Sequence, residues 1–341
     1  MPKLILVTRI KKDTMTIAFA SQSTRKKIEI LKSNLTNMDN VLNECYPMTA
    51  QQKIRGILIA PEYFFSSRYW LPNSQGNTRQ VSEKKRDKID RELQKLSEQF
   101  PSILIVAGTI AWSKKLEQGD GELEKRVKRY TLALERRMDD QSRKIWHEQS
   151  TYYSDNPLVS ARRVLKNIEN PSQAENIRIS RNTAYIYLKG ELCHRYHKNS
   201  DFQEVIETAY TNKKVKLRSK KNIYMPGESD GVFTIDNIKF GIEVCLDHSL
   251  GTLETNHKDE EVDVHIIVSA FVDNNKSNFK ARLNGYVLHA SSEERNEGKK
   301  VSAFYINNGY KYKTLPLIVF FKNRMDLHDS NADSASTIIY L

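Results

Sequence analysis

Three residues carry side chains that together could perform nucleophilic catalysis: Cys245, Glu62 and Lys198. A thiol attacks well only as its thiolate, so a cysteine nucleophile needs a base or a positive charge beside it. Cys245 ends the apolar stretch Lys239-Phe240-Gly241-Ile242-Glu243-Val244 and precedes Leu246-Asp247-His248. Glu62 follows Gly56-Ile57-Leu58-Ile59-Ala60-Pro61, where the proline cannot continue a central ladder. Lys198 closes Glu191-Leu192-Cys193-His194-Arg195-Tyr196-His197, the second half of a hairpin turning at Lys189-Gly190. Singly, each has a bland reading. A cysteine at a strand end is most often a small buried hydrophobe, a carboxylate after a strand a loop residue, and a lysine a surface charge. Jointly they mark three strand ends, and strands packed side by side bring their ends together however far apart they lie in sequence. The carboxyl ends of strands are where open α/β sheets place their chemistry.

The elements that must do this positioning alternate. Residues 14–20 read as a buried strand. Ile28, Leu31, Leu35, Met38 and Leu42 recur at helical spacing up to Pro47. Residues 56–60 and 103–107 are apolar strands on either side of a charged helix carrying Ile89, Leu93, Leu96 and Phe100. Residues 181–188 and 191–198 form one hairpin. Residues 232–235 and 238–242, joined by Asp236-Asn237, form a second that runs into Cys245. Residues 264–270, 301–307 and 315–321 add strands, with a helix expected over 280–292. This is the rhythm of a layered α/β domain. It lapses over residues 114–180, which hold 14 Lys/Arg against 11 Asp/Glu and show helical spacing only at Leu123, Val127, Tyr130, Leu134 and Met138. That segment reads as an inserted helix with long polar loops.

The chain has 341 residues, 39% of them apolar, enough for a substantial core. No apolar run nears the roughly 18 residues of a membrane span, and residues 1–7 hold too short an apolar segment for a signal peptide. Three widely spaced cysteines argue against a disulfide framework. Together these features point to a cytoplasmic protein without a membrane partner. The net charge is +12, but 42 acidic residues are dispersed among 54 basic ones. The densest basic run, residues 213–221, has six Lys or Arg and no aromatic residue on which a base could stack. Nucleic acid is therefore not the expected partner.

ILIAPEYFF resembles the strand-Pro-Glu segment of the nitrilase (carbon-nitrogen hydrolase) superfamily. NTAYIYLKGELCHRYHK resembles that superfamily's hairpin ending in a catalytic lysine, and FTIDNIKFGIEVCLDHSL its hairpin ending in a nucleophilic cysteine. VAGTI and MPGES match further landmarks in order, so the resemblance spans roughly residues 14 to 310 outside the insertion. It implies an α/β fold, a four-layer αββα sandwich formed by one domain over residues 1–341 with a large polar insertion at about 114–180. It implies Glu62 as general base, Lys198 as the cation that stabilises the tetrahedral intermediate, and Cys245 as nucleophile, with the backbone N–H of Leu246 as oxyanion donor. The implied substrate is a small amide or nitrile, the implied assembly a homodimer or larger homo-oligomer, and no metal or organic cofactor is required. A second carboxylate often joins this triad; Glu204 and Glu207 are the candidates, with Glu228 an outsider. Two departures stand out: His197 where a basic residue commonly precedes the lysine, and the insertion itself.

Tyr63, Phe64 and His248 adjoin the candidate triad and are possible substrate contacts, or core. Asp247 could orient the cysteine loop or cap the next turn. Cys193, His194 and His197 are close enough to suggest zinc, but on a strand Cys193 and His197 share a face that His194 does not, and no fourth ligand is local. The expected activity is thiol-dependent hydrolysis of a non-peptide carbon–nitrogen bond, amide or carbamoyl before nitrile. An acyltransferase or amidotransferase would use the same acyl-enzyme. The rival is a non-catalytic binding protein on the same scaffold, holding an acidic partner or nucleic acid through residues 213–221 and the charged insertion.

Overall fold

A computed structural model of the protein describes residues 3–14, 16–45, 52–66, 80–115, 121, 124, 125, 128, 178–200, 206–210, 214–218, 222–225, 227, 231–270, 272–292, 295–296, 299–300, 302–316, 319–321, 324–326 and 334–341. In chain order the first elements are β1 (Leu4–Ile10), α1 (Ile17–Ala20), α2 (Thr24–Cys45), β2 (Gly56–Ile59), β3 (Val81–Ser82), α3 (Glu83–Gln99) and β4 (Ile103–Lys115). There follow β5 (Arg178–Leu188), β6 (Glu191–His197), β7 (Ile206–Tyr210), β8 (Lys214–Arg218), β9 (Asn222–Tyr224), β10 (Val232–Ile235) and β11 (Ile238–Val244). Next are α4 (Leu246–Ser249), α5 (Thr252–Asn256), β12 (Val262–Ser269), β13 (Ala281–Ser291), β14 (Arg295–Asn296) and β15 (Lys299–Lys300). The last are β16 (Phe304–Asn307), β17 (Tyr312–Thr314), β18 (Val319–Phe321), β19 (Arg324–Asp326) and β20 (Ser334–Tyr340).

Two sheets dominate. The first has the order β20-β1-β2-β4-β5-β6, with β3 on β4 and β9 on β5; the second has the order β10-β11-β12-β13-β16-β17. Strands β1, β2 and β4 run parallel, and β11, β12 and β13 do likewise. Since β4 pairs antiparallel with β5 and β5 with β6, β6 runs in the direction of β2. The residues after β2 and β6 therefore leave the first sheet at one edge, and those after β11 and β12 leave the second sheet at a common edge.

The inner faces of the sheets meet in one apolar core: Ile57, Ile59, Leu104 and Ile186 from the first, Phe240, Ile242, Ile266 and Leu288 from the second. Helices α2 and α3 cover the outer face of the first sheet. Leu31, Leu35, Met38 and Leu42 of α2, at three- and four-residue steps, pack with Ile89, Leu93 and Leu96 of α3 onto Leu58, Ile103 and Ile105. Ser82 caps α3 by accepting from the Lys85 N–H at 3.3 Å. On the outer face of the second sheet, the described helices are the short α4 and α5, joined by a cluster around Phe279 and Tyr305.

Three expectations need correction. The described residues of 14–20 form no strand: they contain the single turn α1, and the first strand of the chain is β1, which pairs with both β2 and β20. Residues 281–291 are β13, not a helix. Tyr286, Val287, Leu288 and Ala290 are all buried between β12 and β16, and such a two-sided apolar run lacks the period that separates strand from helix. The insertion is shorter than 114–180 at both ends, because Lys114 and Lys115 pair with Ile179 and Arg178 inside the β4–β5 ladder. Most of the remainder lies outside the described residues.

One local irregularity matters for the site. The β4–β5 register shifts between Val106 and Thr109, and Gly108 at that bulge has φ +70°. A Cβ there would lie 2.3 Å from the carbonyl oxygen of Pro61 and 2.8 Å from Cβ of Phe64. The bulge thus lets the loop after β2 lie directly on β4. Gly108→Ala should lower the unfolding free energy by roughly 3 kcal/mol, since it adds a left-handed penalty to a backbone clash. Urea titration measures this, and a loss under about 1 kcal/mol would show that the loop yields freely.

Candidate functional site

The first arm of the site follows β2. Ala60 donates its N–H to Val106 O at 2.9 Å, and Pro61 then ends the ladder. Thr109, re-aimed by the bulge, accepts from the Tyr63 N–H at its Oγ1 (2.9 Å) and from the Phe65 N–H at its carbonyl (3.1 Å). Tyr63 takes φ 59° to make this turn. Glu62 itself is fully buried, and its backbone bridges the sheets: its N–H donates to Ser269 O at the end of β12 at 3.1 Å, while its carbonyl accepts from Thr14 Oγ1 at 2.5 Å. Its carboxylate Oε1 accepts from Asn182 Nδ2 at 2.8 Å and from Lys198 Nζ at 3.0 Å.

The second arm is the β5–β6 hairpin, whose turn residues Lys189 and Gly190 have φ 55° and 79°, as a two-residue hairpin turn demands. Its final ladder bond, Lys198 N–H to Asn182 O at 2.9 Å, sets the lysine beside the asparagine that also holds Glu62. The Lys198 carbonyl accepts from Tyr224 Oη at 2.5 Å and from the Gly227 N–H at 3.2 Å. A Cβ on Gly227 would lie 1.9 Å from His197 O, so only glycine permits this approach. Lys198 is buried completely, as a member of a buried ion pair with Glu62.

The third arm is the β10–β11 hairpin, turned by Asp236 and Asn237 at φ 54° and 62°. Along β11, Phe240, Ile242 and Val244 point into the inter-sheet core, so strict alternation would send Cys245 outward with Glu243. Instead Cys245 adopts φ 52°, ψ −108°, a backbone region that side chains rarely enter, and joins Val244 in the inter-sheet core. Its N–H still donates to Val268 O at 2.9 Å. The thiol lies close enough to Glu62 and Lys198 for the charges of both to act on it. Burial pushes the Cys245 thiol well above its ordinary value and the negative charge of Glu62 adds to this, while Lys198 and the Ala270 N–H pull it down. At rest, then, Cys245 is a neutral thiol near a carboxylate that is paired with an ammonium.

Asp247 ties the second and third arms together. Wholly buried, it accepts from Tyr196 Oη (2.7 Å), the Asn199 N–H (3.0 Å) and the Ser200 N–H (2.8 Å), fixing the segment around Lys198 to the turn after Cys245. Burial pushes its carboxyl up to about 6, against the pull of Lys198 and of these donors.

Of the other residues singled out in the sequence, Tyr63 is buried next to Ala111 and Ala270. Phe64 packs with Phe19 and Phe65 in the helix-side core. His248 is drawn to the outer face of the second sheet, bonded to Glu243 and packed on Phe279. Leu246 opens α4 directly after the cysteine. Glu204, Glu228 and the side chain of Glu207 lie outside the described residues, as do residues 67–79 and 201–205, which continue from the first two arms, and residue 271, which follows β12. Cys193, His194 and His197 turn to different neighbours: Glu191 O, the Phe233 ring at 4.4 Å and Thr183 Oγ1 at 2.8 Å. Sequence reasoning overlooked Asn182 and Glu243. Glu243 is a polar residue inside the largely apolar β11, and that contrast was the available signal, whereas Asn182 sits among Ser180, Arg181 and Thr183, where nothing local marks it.

No family model and no curated relative matches the sequence. Solved structures do resemble it. Saccharomyces cerevisiae Nit3, a member of branch 10 of the nitrilase superfamily, aligns over 99% of this chain and 90% of its own at 14% identity and a TM-score of 0.46. An amidase from Nesterenkonia sp. aligns over 99% and 90% at 11% identity and a TM-score of 0.47. A variant of that amidase, carrying the acetamide moiety of fluoroacetamide covalently on its active-site cysteine, aligns over 99% and 89% at 11% and 0.48. The chain is similar in fold to nitrilase-superfamily structures. That likeness is one of fold, and the chemistry of this site rests on its own residues.

The Asp247 carboxyl titrates near 3.8 when unperturbed and about 6 in the folded protein. Between those values the folded protein binds more protons than the unfolded chain, so this group makes stability fall as pH rises from about 4 to 6 and constant above. Asp247→Asn removes that slope. The difference in unfolding free energy between about pH 4 and pH 7 should shift in the variant's favour by roughly 3 kcal/mol. An unaltered difference would contradict the burial of this carboxylate.

Proposed function

We propose that the protein is a thiol-dependent hydrolase of a non-peptide carbon–nitrogen bond, acting on an amide or carbamoyl group in preference to a nitrile. The observation that carries this reading is a buried cysteine thiol within electrostatic reach of a fully buried carboxylate–ammonium pair. Glu62 takes the thiol proton as Cys245 Sγ bonds to the substrate carbon, and the carbonyl π electrons move onto oxygen. Lys198 Nζ and the Leu246 N–H stabilise that oxyanion, an arrangement in which each donor is worth roughly 3 to 4 kcal/mol. Collapse breaks the carbon–nitrogen bond, and the Glu62 proton leaves with the amine or ammonia. Water, deprotonated by Glu62, attacks the thioester. The acid departs and the proton returns to sulfur.

An amine could take the place of water in the second half-reaction, giving acyl transfer through the same thioester. The reading also carries a single catalytic unit over residues 1–341 with an insertion within 114–180, assembly into a homodimer or larger homo-oligomer, and a cytoplasmic location. No described helix is long and apolar enough to cross a membrane.

Ammonia release across a panel of small amides and nitriles tests the reaction. Cys245→Ala should reduce turnover by at least about 10³-fold, and Glu62→Gln by roughly 10² to 10⁴-fold. Intact mass spectrometry of the wild type with a turned-over amide should show an acyl adduct that maps to Cys245. Equal turnover by wild type and Cys245→Ala would end the proposal.

A further inference from the structure

The outer face of the second sheet, behind the nucleophile turn, holds a buried charge that the proposed reaction does not use. Glu243 lies on β11 two residues before Cys245 and has no exposed surface. Three N–H groups converge on its carboxylate. The Leu253 backbone N–H in α5 donates to Oε1 at 2.7 Å, while His248 Nδ1 and His265 Nε2 meet Oε2 at 2.8 and 3.0 Å. Burial works to raise this carboxyl, but the bonds from His248 and His265 hold it down to about 2, so it is ionised throughout the neutral range.

Two histidines and a glutamate form a zinc-like donor set, with all ligand atoms within 4.8 Å of one another. The tautomers argue otherwise. His265 Nδ1 accepts from the Lys280 backbone N–H at 3.2 Å, so the ring's proton is on Nε2, the atom aimed at Glu243. His248 likewise needs its proton on Nδ1 to meet the carboxylate. Both nitrogens that a metal would take already carry hydrogen, and the cluster is closed as a set of hydrogen bonds.

What it closes is the elbow. Glu243 precedes Cys245 and His248 follows it, so the bond between them spans the strained residue, while His265 and Leu253 fasten the same carboxylate to β12 and α5. The strain has a direction. Relaxing Cys245 to extended backbone would restore alternation and swing the sulfur to the outer face, away from Glu62 and Lys198. His248 Nε2 is buried and finds no hydrogen-bond partner among the described residues, so the Glu243 contact is what orients the ring.

We propose that Glu243 and His248 are positioning residues for Cys245, their hydrogen bond closing the turn that keeps the sulfur on the inter-sheet face beside Glu62 and Lys198. This inference rests on Cys245 being the nucleophile, and its test separates the two claims. The probe is 2-chloroacetamide, which carries an amide next to an alkylating carbon: Sγ bonds to that carbon, chloride leaves and the thiol proton passes to Glu62. Alkylation rates at Cys245 and at exposed Cys45 are followed by mass spectrometry. In the wild type Cys245 should outpace Cys45.

His248→Leu should slow Cys245 by about 100-fold, the order of loss that a displacement of about 1 Å produces, and leave Cys45 unchanged. The near-isosteric Glu243→Gln, which turns an amide N–H toward existing donors, should slow it at least about tenfold. His248→Asn, whose Nδ2 can replace the ring's Nδ1 as donor, should keep the wild-type rate. A wild-type Cys245 no faster than Cys45 would sink the nucleophile reading itself. A fast wild type with equally fast Glu243→Gln and His248→Leu, or with His248→Asn as slow as His248→Leu, would overturn the positioning role alone. Should His248→Leu not fold, Glu243→Gln decides the matter.

Discussion

Everything at this site depends on an ion pair that water cannot reach. Glu62 and Lys198, 3.0 Å apart, are both fully buried. Removing two such charges from water costs on the order of several kcal/mol each, and their mutual attraction does not reliably return it, so stability alone is a weak reason to keep the pair. The surrounding structure is arranged to make the pair tolerable. Asn182 gives Glu62 a second donor, and the β5–β6 ladder sets the lysine at the register where its Nζ reaches the carboxylate. A bulge in β4 and a glycine without a side chain let the Glu62 loop come down far enough to meet it. These features converge on one oxygen atom, and they do so from three strands of the same sheet.

The second sheet contributes the sulfur, and here backbone strain does the positioning. Six non-glycine residues among those described have positive φ. Lys189, Asp236 and Asn237 lie in hairpin turns where that conformation is required, and Asn284 lies where β13 slips against β12. The remaining two are Tyr63 and Cys245, the residues directly after Glu62 and at the sulfur itself. Strain of this kind persists only where neighbours over-determine it. At Tyr63 the neighbour is Thr109, through two hydrogen bonds to the loop. Around Cys245 it is Asp247 on the side of Lys198 and the Glu243 carboxylate on the other. The two sheets are then joined at the site by the bond from the Glu62 N–H to Ser269 O.

Much of this was legible in the sequence, for identifiable reasons. Helices α2 and α3 announce themselves by three- and four-residue apolar steps, and the hairpins by Lys-Gly and Asp-Asn between β-branched runs. Cys245, Glu62 and Lys198 were legible only as a set, because each stands at the end of an apolar strand and nothing local distinguishes it. The errors have physical causes too. β1 is an N-terminal apolar run too short to show a period of its own, and β13 is apolar on both faces, which removes the period. The partner of β1, β20, lies so far down the chain that no local pattern pairs the two. Asn182 and Glu243 were missed because alternation hides them: each occupies a proper strand position, and only the cost of burying its polar group marks it as exceptional. The thin outer layer of the second sheet was hidden for the same reason, since α4 and α5 are too short to show a period.

The raised Cys245 thiol also constrains how the proposed reaction can begin. A cysteine paired with a histidine can rest as thiolate and imidazolium, but here the neighbouring base is an anion, and a thiolate beside a charged Glu62 would set two negative charges in a dry site. The proton must therefore stay on sulfur until a substrate carbon is within bonding distance, and then pass to Glu62 as the new bond forms. In each state of that sequence the three groups and the bound substrate sum to the same charge. At rest it is carboxylate, ammonium and thiol; after transfer, carboxylic acid, ammonium and thiolate; after attack, carboxylic acid, ammonium and oxyanion. Lys198 serves all three without moving far, because the negative charge travels from Glu62 through sulfur to the substrate oxygen while the ammonium stays beside the path. A buried site of constant net charge avoids the large desolvation change that creating a new ion would bring, and this is what an uncompensated cysteine at the same strand end would lack.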